Sequence, residues 1–187
     1  MATSIATLRA VLHPTRRRMV EYLLLNGPTQ VGTLARELGE QVGSISHHLR
    51  MLERVEVVAR VPELETDGRT SFWRLLERSF TWSAYDFDEP AHRIEAKAAE
   101  RANIEHQFRK LAEWKREADK SPAAWRTAAF TTDFTVLATP EELAEIDTVL
   151  LGALQEWRAR IQERIEAGDG QEREPVFVFL HGFRSRP

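Results

Sequence analysis

Apolar positions recur at helical spacing through the first quarter of the chain. Ile5, Leu8, Val11 and Leu12 predict a first helix opening after Ser4. Pro14 suits the first turn of a second helix, which turns Met19, Val20, Leu23 and Leu24 inward and stops at Asn26-Gly27-Pro28. Thr29 is the expected cap of a third helix, whose Val31, Leu34, Ala35 and Leu38 fall at i, i+3, i+4 and i+7. Gly39 closes it, and a short connection leads to a fourth helix over about Val42 to Val55. The period then changes. Val57, Val58 and Val61 read as a strand, Pro62 to Arg69 as a turn containing Asp67-Gly68, and Thr70 to Leu76 as the returning strand. Short helices followed by a hairpin give the element order of a winged helix-turn-helix.

Beyond Leu76 the pattern is coarser. Phe80, Trp82, Tyr85 and Phe87 form an aromatic stretch, and a long helix is expected from about Pro90 to Asp119. Its seam is Ile104, Phe108 and Leu111 with Trp114 or Lys115, extended weakly by Ile94, Ala98 and Ala102. Phe134, Val136 and Leu137 suggest a strand. Thr139-Pro140-Glu141-Glu142 is a helix start, opening a seam of Leu143, Ile146, Leu150, Ala153, Trp157, Ile161 and Ile165. Val176 to Leu180 reads as a strand apolar on both faces. The expected fold class is therefore mainly α with a small β component. Residues 1–78 would form a winged helix-turn-helix domain, and residues 79–187 a helical region for dimerisation or effector binding.

Composition narrows the function. The 187 residues are 42% hydrophobic and 29% charged, as expected of a folded soluble chain. No apolar run approaches the roughly 20 residues a membrane crossing needs, and Met1 to Arg18 lacks the apolar core of a secretory signal, so the expected location is the cytoplasm. Cysteine is absent, which removes disulfides, zinc–cysteine sites and thiol nucleophiles. The net charge of −3 hides a split: residues 1–78 carry 11 Arg and no Lys against 9 acids, while the remainder is acidic. Screening limits the reach of charge to about 10 Å, so local placement matters more than the total.

The fourth helix carries the most chemistry. At 100° per residue Ile45, Leu49, Leu52 and Val55 gather on one side, and Gly43, Ser46, His47, Arg50 and Arg54 on the other. A helix lying in the major groove needs this division, with an apolar side for its own domain and donors for base edges and phosphates. An ordinary amphipathic surface helix has the same division. The preceding short helix and the following hairpin favour DNA.

Leu12-His13-Pro14-Thr15-Arg16, the run Val31-Gly32-Thr33-Leu34-Ala35-Arg36-Glu37-Leu38, and Ser44-Ile45-Ser46-His47-His48-Leu49-Arg50-Met51-Leu52-Glu53 together resemble the ArsR-type winged-helix regulators. The resemblance covers roughly residues 5–78. It implies a homodimer on a palindromic operator in double-stranded DNA, read by Gly43, Ser44, Ser46, His47 and Arg50, with Arg54 and Arg69 at phosphates. Two departures bear on this. Val42 and Gly43 stand where small polar residues are usual, and the hairpin turn carries Glu63, Glu65 and Asp67, leaving Arg69, with Arg60, to meet phosphate. Many members of the family sense metals, but here the third helix holds neither Cys nor His, and the six histidines include no i, i+4 pair. A member without metal or other cofactor is expected.

Other segments keep two readings. Arg16-Arg17-Arg18 is either a phosphate clamp or a solvated face with Arg16 turned to an internal carboxylate. The aromatics after Leu76, with Trp114, Trp125 and Trp157, serve core and dimer packing or line a pocket for a small apolar effector. An enzyme is not indicated: there is no Gly-x-Ser-x-Gly elbow, phosphate-binding glycine loop or His-Glu-x-x-His helix. The alternative to DNA binding is a winged helix used for protein–protein contact, motivated by the acidic second half and acidic wing.

Overall fold

The computed structural model describes residues 3–65, 70–76, 80 and 82–185. The fold is mainly α with one small sheet, and the chain divides into two compact units, Met1–Leu111 and Ala112–Pro187.

In the first unit, helix α1 (Ile5–Val11) starts at Ser4, whose hydroxyl accepts from the Thr7 amide at 3.1 Å. Helix α2 (Pro14–Asn26) begins with its proline in the first turn, where no amide hydrogen is missed. Helix α3 (Val31–Leu38) ends at Gly39, whose φ of +66° lets the chain reverse while the Glu40 amide donates back to the Ala35 carbonyl at 2.9 Å. Helix α4 (Val42–Glu53) follows after three residues. Strands β1 (Thr29–Gln30), β2 (Val58–Arg60) and β3 (Phe72–Leu75) form an antiparallel sheet in the order β1-β3-β2, with Thr29 opposite Trp73 and Ala59 opposite Arg74.

Met19, Leu23, Leu34, Ile45, Leu49, Leu52, Val57, Val58 and Trp73 converge in the main core. Burial of each such leucine or isoleucine is worth about 1.5–3 kcal/mol, so the hairpin and the helix pair are held by one apolar cluster. A second cluster joins Leu8 to Ala84, Ala96 and Ala99, where helix α5 (Pro90–Glu117) meets α1. Alanines at that contact let the helices approach closely. Polar links extend the seat: Arg9 pairs with Glu95, Arg17 donates to Asn103 at 2.7 Å, and Glu21 lies 3.1 Å from both His106 and Lys110.

Three local expectations change. Thr29 does not cap α3. It is buried in the sheet opposite Trp73, its hydroxyl donates to the Gly27 carbonyl at 3.0 Å, and Gln30 takes the cap position. A β-branched residue within reach of β3 gains a sheet partner, which a cap does not provide. Among the described residues Arg16 pairs with no carboxylate. Its guanidinium donates to the Ala10 carbonyl at 2.5 Å and the Arg9 carbonyl at 3.0 Å, satisfying the free C-terminal end of α1. Arg18 does the same for α3, donating to the Leu38 carbonyl at 2.6 Å. The arginine run ties helices together and is not an open clamp.

The second unit contains helix α6 (Ala123–Ala128), which the sequence pattern did not suggest, and helix α7 (Pro140–Glu166). A capping box starts α7: the Glu142 amide donates to the Thr139 hydroxyl and the Thr139 amide to the Glu142 carboxylate. The strands expected around Phe134–Leu137 and Val176–Leu180 do not form. Among the described residues both segments carry no ladder, because β structure requires a neighbouring backbone and not only an apolar stretch. No described residue of this unit is buried.

Candidate nucleic-acid interface

Helices α3 and α4 fix the interface from behind. Ile45, Leu49 and Leu52 are fully buried, so α4 cannot rotate without breaking the core. Gly43, His47, Arg50 and Arg54 are thereby left exposed, with Ser44 and Ser46 half-buried at the edges of the same face. The six positions expected on α4 thus share one outward face. Arg69 lies outside the described residues.

Each side chain has a distinct state. The Ser46 hydroxyl donates to the Val42 carbonyl at 2.8 Å, four residues back, so it offers an incoming group an acceptor first. His47 is exposed and meets His48 edge-on, ring centroids 5.6 Å apart. Arg54 approaches the Met51 sulfur at 3.8 Å. Among the described residues neither Arg50 nor Arg54 pairs with a carboxylate, which leaves both cations available. An added Cβ at Gly43 would meet nothing within 4 Å, so that corner of the helix start is open to close approach.

His48 turns the other way. Its ring lies 4.8 Å from that of His13, the residue preceding α2, and the Nδ1 atoms of both are buried without a hydrogen-bond partner among the described residues. Burial, followed by the charge of nearby Arg16, holds the His13 pKa below its ordinary value. Burial is also the main cause for His48, reinforced by His13, Arg16 and His47 and opposed by Glu40. A neutral imidazole pair therefore backs the exposed face of α4.

The wing is electrostatically quieter. Arg60 is forked onto Glu65, with nitrogen–oxygen distances of 2.8 Å to both carboxylate oxygens, so it is already neutralised. Arg74, exposed on the central strand β3, was not anticipated as a site residue. Its strand alternation, with Trp73 buried beside it, is the signal that would have found it.

Residues 11–61 match the family model described as a helix-turn-helix domain, over the stretch that carries the sequence resemblance. No curated protein sequence matches the chain. Among solved structures, one described as a "possible transcriptional regulator for arsenical resistance" is 25% identical, covering 62% of this chain and 96% of its own, with a TM-score of 0.32. An ArsR family transcriptional regulator is 24% identical, covering 57% and 97%, also at 0.32. A MarR family transcription regulator is 19% identical, covering 84% and 79%, at 0.35.

Proposed function

We propose that this chain, whose residues 11–61 form a helix-turn-helix domain, is a sequence-specific DNA-binding transcription regulator. It acts as a homodimeric repressor on a palindromic operator in cytoplasmic DNA. The observation that carries the reading is α4: locked by Ile45, Leu49 and Leu52, it presents Gly43, Ser44, Ser46, His47 and Arg50 on one outward face with Arg54 beside them. Base edges fall to Ser46, His47 and Arg50, and phosphates to Arg54, Arg69 and Arg74. Two copies would set their recognition helices about 34 Å apart, one turn of the duplex.

Residues 1–78 supply the DNA contact and residues 79–187 the assembly. Helix α5 supports the second assignment. Its inner face packs on α1 through Ala96 and Ala99, while Ile94, Ala98, Ala102 and Ile104 stay exposed on other faces, Ile94 at 70%. A second copy would cover that surface.

The test is selection of fragmented genomic DNA by the purified protein, with Arg50→Ala in parallel. A few palindromic sites should be enriched, and the substitution should cost about 1–3 kcal/mol of specific affinity. Unchanged binding by Arg50→Ala would remove that residue from the interface. The Arg60–Glu65 pair keeps a second reading in play, a winged helix that binds protein. Weak duplex binding that hardly changes with salt would favour it, because phosphate contact makes affinity fall steeply as salt rises.

A further inference from the structure

Helix α7 is 27 residues long, about 40 Å at 1.5 Å per residue. Leu143, Ile146, Leu150, Ala153 and Trp157 succeed one another at steps of three and four, the rhythm by which one helix packs along another. Ile161 and Ile165 continue the stripe. The chain near Gly182 lies against Leu143, and Leu143 and Ile161 are half-buried. Yet much of the seam is open: Ile146, Leu150, Trp157 and Ile165 retain 37–47% of their exposure. Helices in water draw most of their stability from packing such a face. The capping box at Thr139 fixes where α7 begins but covers none of its stripe.

Charge along α7 is uneven. Glu141, Glu142, Glu145 and Asp147 occupy its first half with no cation among them. Arg158, Arg160 and Arg164 all lie in its last nine residues. Glu156, Glu163 and Glu166 balance them in number, with Arg160 3.8 Å from Glu156. At 100° per residue, however, Arg160 and Arg164 fall beside the stripe and those three acids fall away from it.

We propose that α7 packs antiparallel against α7 of a second copy, seam to seam, about a two-fold axis near Ala153. This rests on the homodimer reading above and adds a second place where the copies meet. A second copy suits the face because a two-fold interface must be self-complementary, and α7 is so in one direction only. Parallel pairing would set the four acids of one copy against the same four of the other. Antiparallel pairing separates the two acidic halves, brings each beside the neutral half whose Arg160 and Arg164 border the stripe, and opposes the two helix dipoles. Ala153 at the midpoint is small enough for close approach at the axis. A stable interface needs about 800 Å² from each partner. The open stripe of α7, with Phe130, Phe134 and Leu137 exposed in the same unit, is the apolar surface such an interface would draw on.

The absence of cysteine makes a direct test available. Ala153→Cys, Leu143→Cys and Ile161→Cys are made singly in the full chain and checked for unchanged helix content. Each is oxidised and run on non-reducing gels, beside sedimentation of the unmodified protein. The expected result is a covalent dimer from Ala153→Cys alone and from a mixture of the other two variants, with little from Leu143→Cys or Ile161→Cys alone, since a disulfide needs Cα atoms within about 7 Å. Cross-linking of all three single variants would mean parallel helices and overturn the proposal. A dimer by sedimentation with no cross-link in any variant would overturn it too, while leaving the homodimer reading intact. A monomer by sedimentation would remove both.

Discussion

Helices α4 and α7 carry the same kind of apolar stripe, and the molecule treats them oppositely. In α4, Ile45, Leu49 and Leu52 are completely buried by α2, α3 and the sheet. In α7, Leu150 and Trp157 are still about two-fifths exposed. Local signals do not account for the difference: α7, the exposed one, opens on a capping box, while α4 opens at Gln41 without a side-chain cap. What separates them is supply. The first unit gathers four helices and a hairpin around one cluster. The second has, among its described residues, no sheet and, besides α7, only the end of α5, a single 3-10 turn at Ala118–Lys120 and the short α6. An amphipathic stripe states that a partner is required. It does not state which chain provides it.

The largest effect should come from testing that contrast directly. Leu49→Ala empties a site with no solvent access and should cost about 2–5 kcal/mol in urea unfolding. Leu150→Ala, measured at dilutions that favour the monomer, should cost under about 1 kcal/mol, because its side chain is already partly in water. Equal losses at the two positions would erase the distinction.

Next comes Arg16. Its two hydrogen bonds finish the carboxyl end of α1 from a buried position. Arg16→Ala should destabilise the first unit by about 1.5–3 kcal/mol, as expected when a charged donor is withdrawn from buried carbonyls. Arg50→Ala should leave the unfolding midpoint where it was and weaken DNA binding only. If Arg16→Ala unfolds no more easily than Arg50→Ala, the arginine run is not structural.

The smallest effect is a pH dependence confined to the first unit. Burial is the leading cause that depresses the pKa of His13, His48 and also His106, where Arg17 adds to it and Glu21 opposes. The unfolded chain takes up protons on these residues near their ordinary 6.5, and the folded chain only at lower pH. Below that point the unfolded state binds more protons, so stability, complete above pH 6.5, falls as the pH drops toward the depressed values. Urea midpoints at pH 7.5 and 5.5 should show the loss, and His48→Gln should flatten part of it. A midpoint indifferent to pH would show that burial of the two Nδ1 atoms does not hold these imidazoles neutral.

Much of the first unit could be read along the chain, because its signals are local. Ser4, Pro14, Gly27 and Gly39 act within one turn of where they stand, and the period of apolar residues selects the inward face of each helix. The outward face of α4 follows from the same arithmetic, since fixing Ile45 and Leu49 inside fixes His47 and Arg50 outside. The sheet was only half legible. β1 is two residues long and exists because β3 comes to lie beside it, a contact between residues more than forty apart.

By itself, then, the sequence determined the approximate limits of the first four helices, their buried stripes and the cationic face of α4, all consequences of backbone geometry repeating every 3.6 residues. On α5 the expected seam of Ile94, Ala98, Ala102, Ile104 and Phe108 is exposed, and Ala96 and Ala99 are buried instead because α1 packs on that side. The tertiary structure alone decided the rest. It set Arg16 and Arg18 on the carbonyl ends of neighbouring helices, forked Arg60 onto Glu65, and stacked His13 against His48. It also denied a ladder to the apolar segments around Phe134 and Val176. Each of these depends on what arrives from elsewhere in the chain, and a hydrogen bond or a β-ladder exists only when both of its partners are in place.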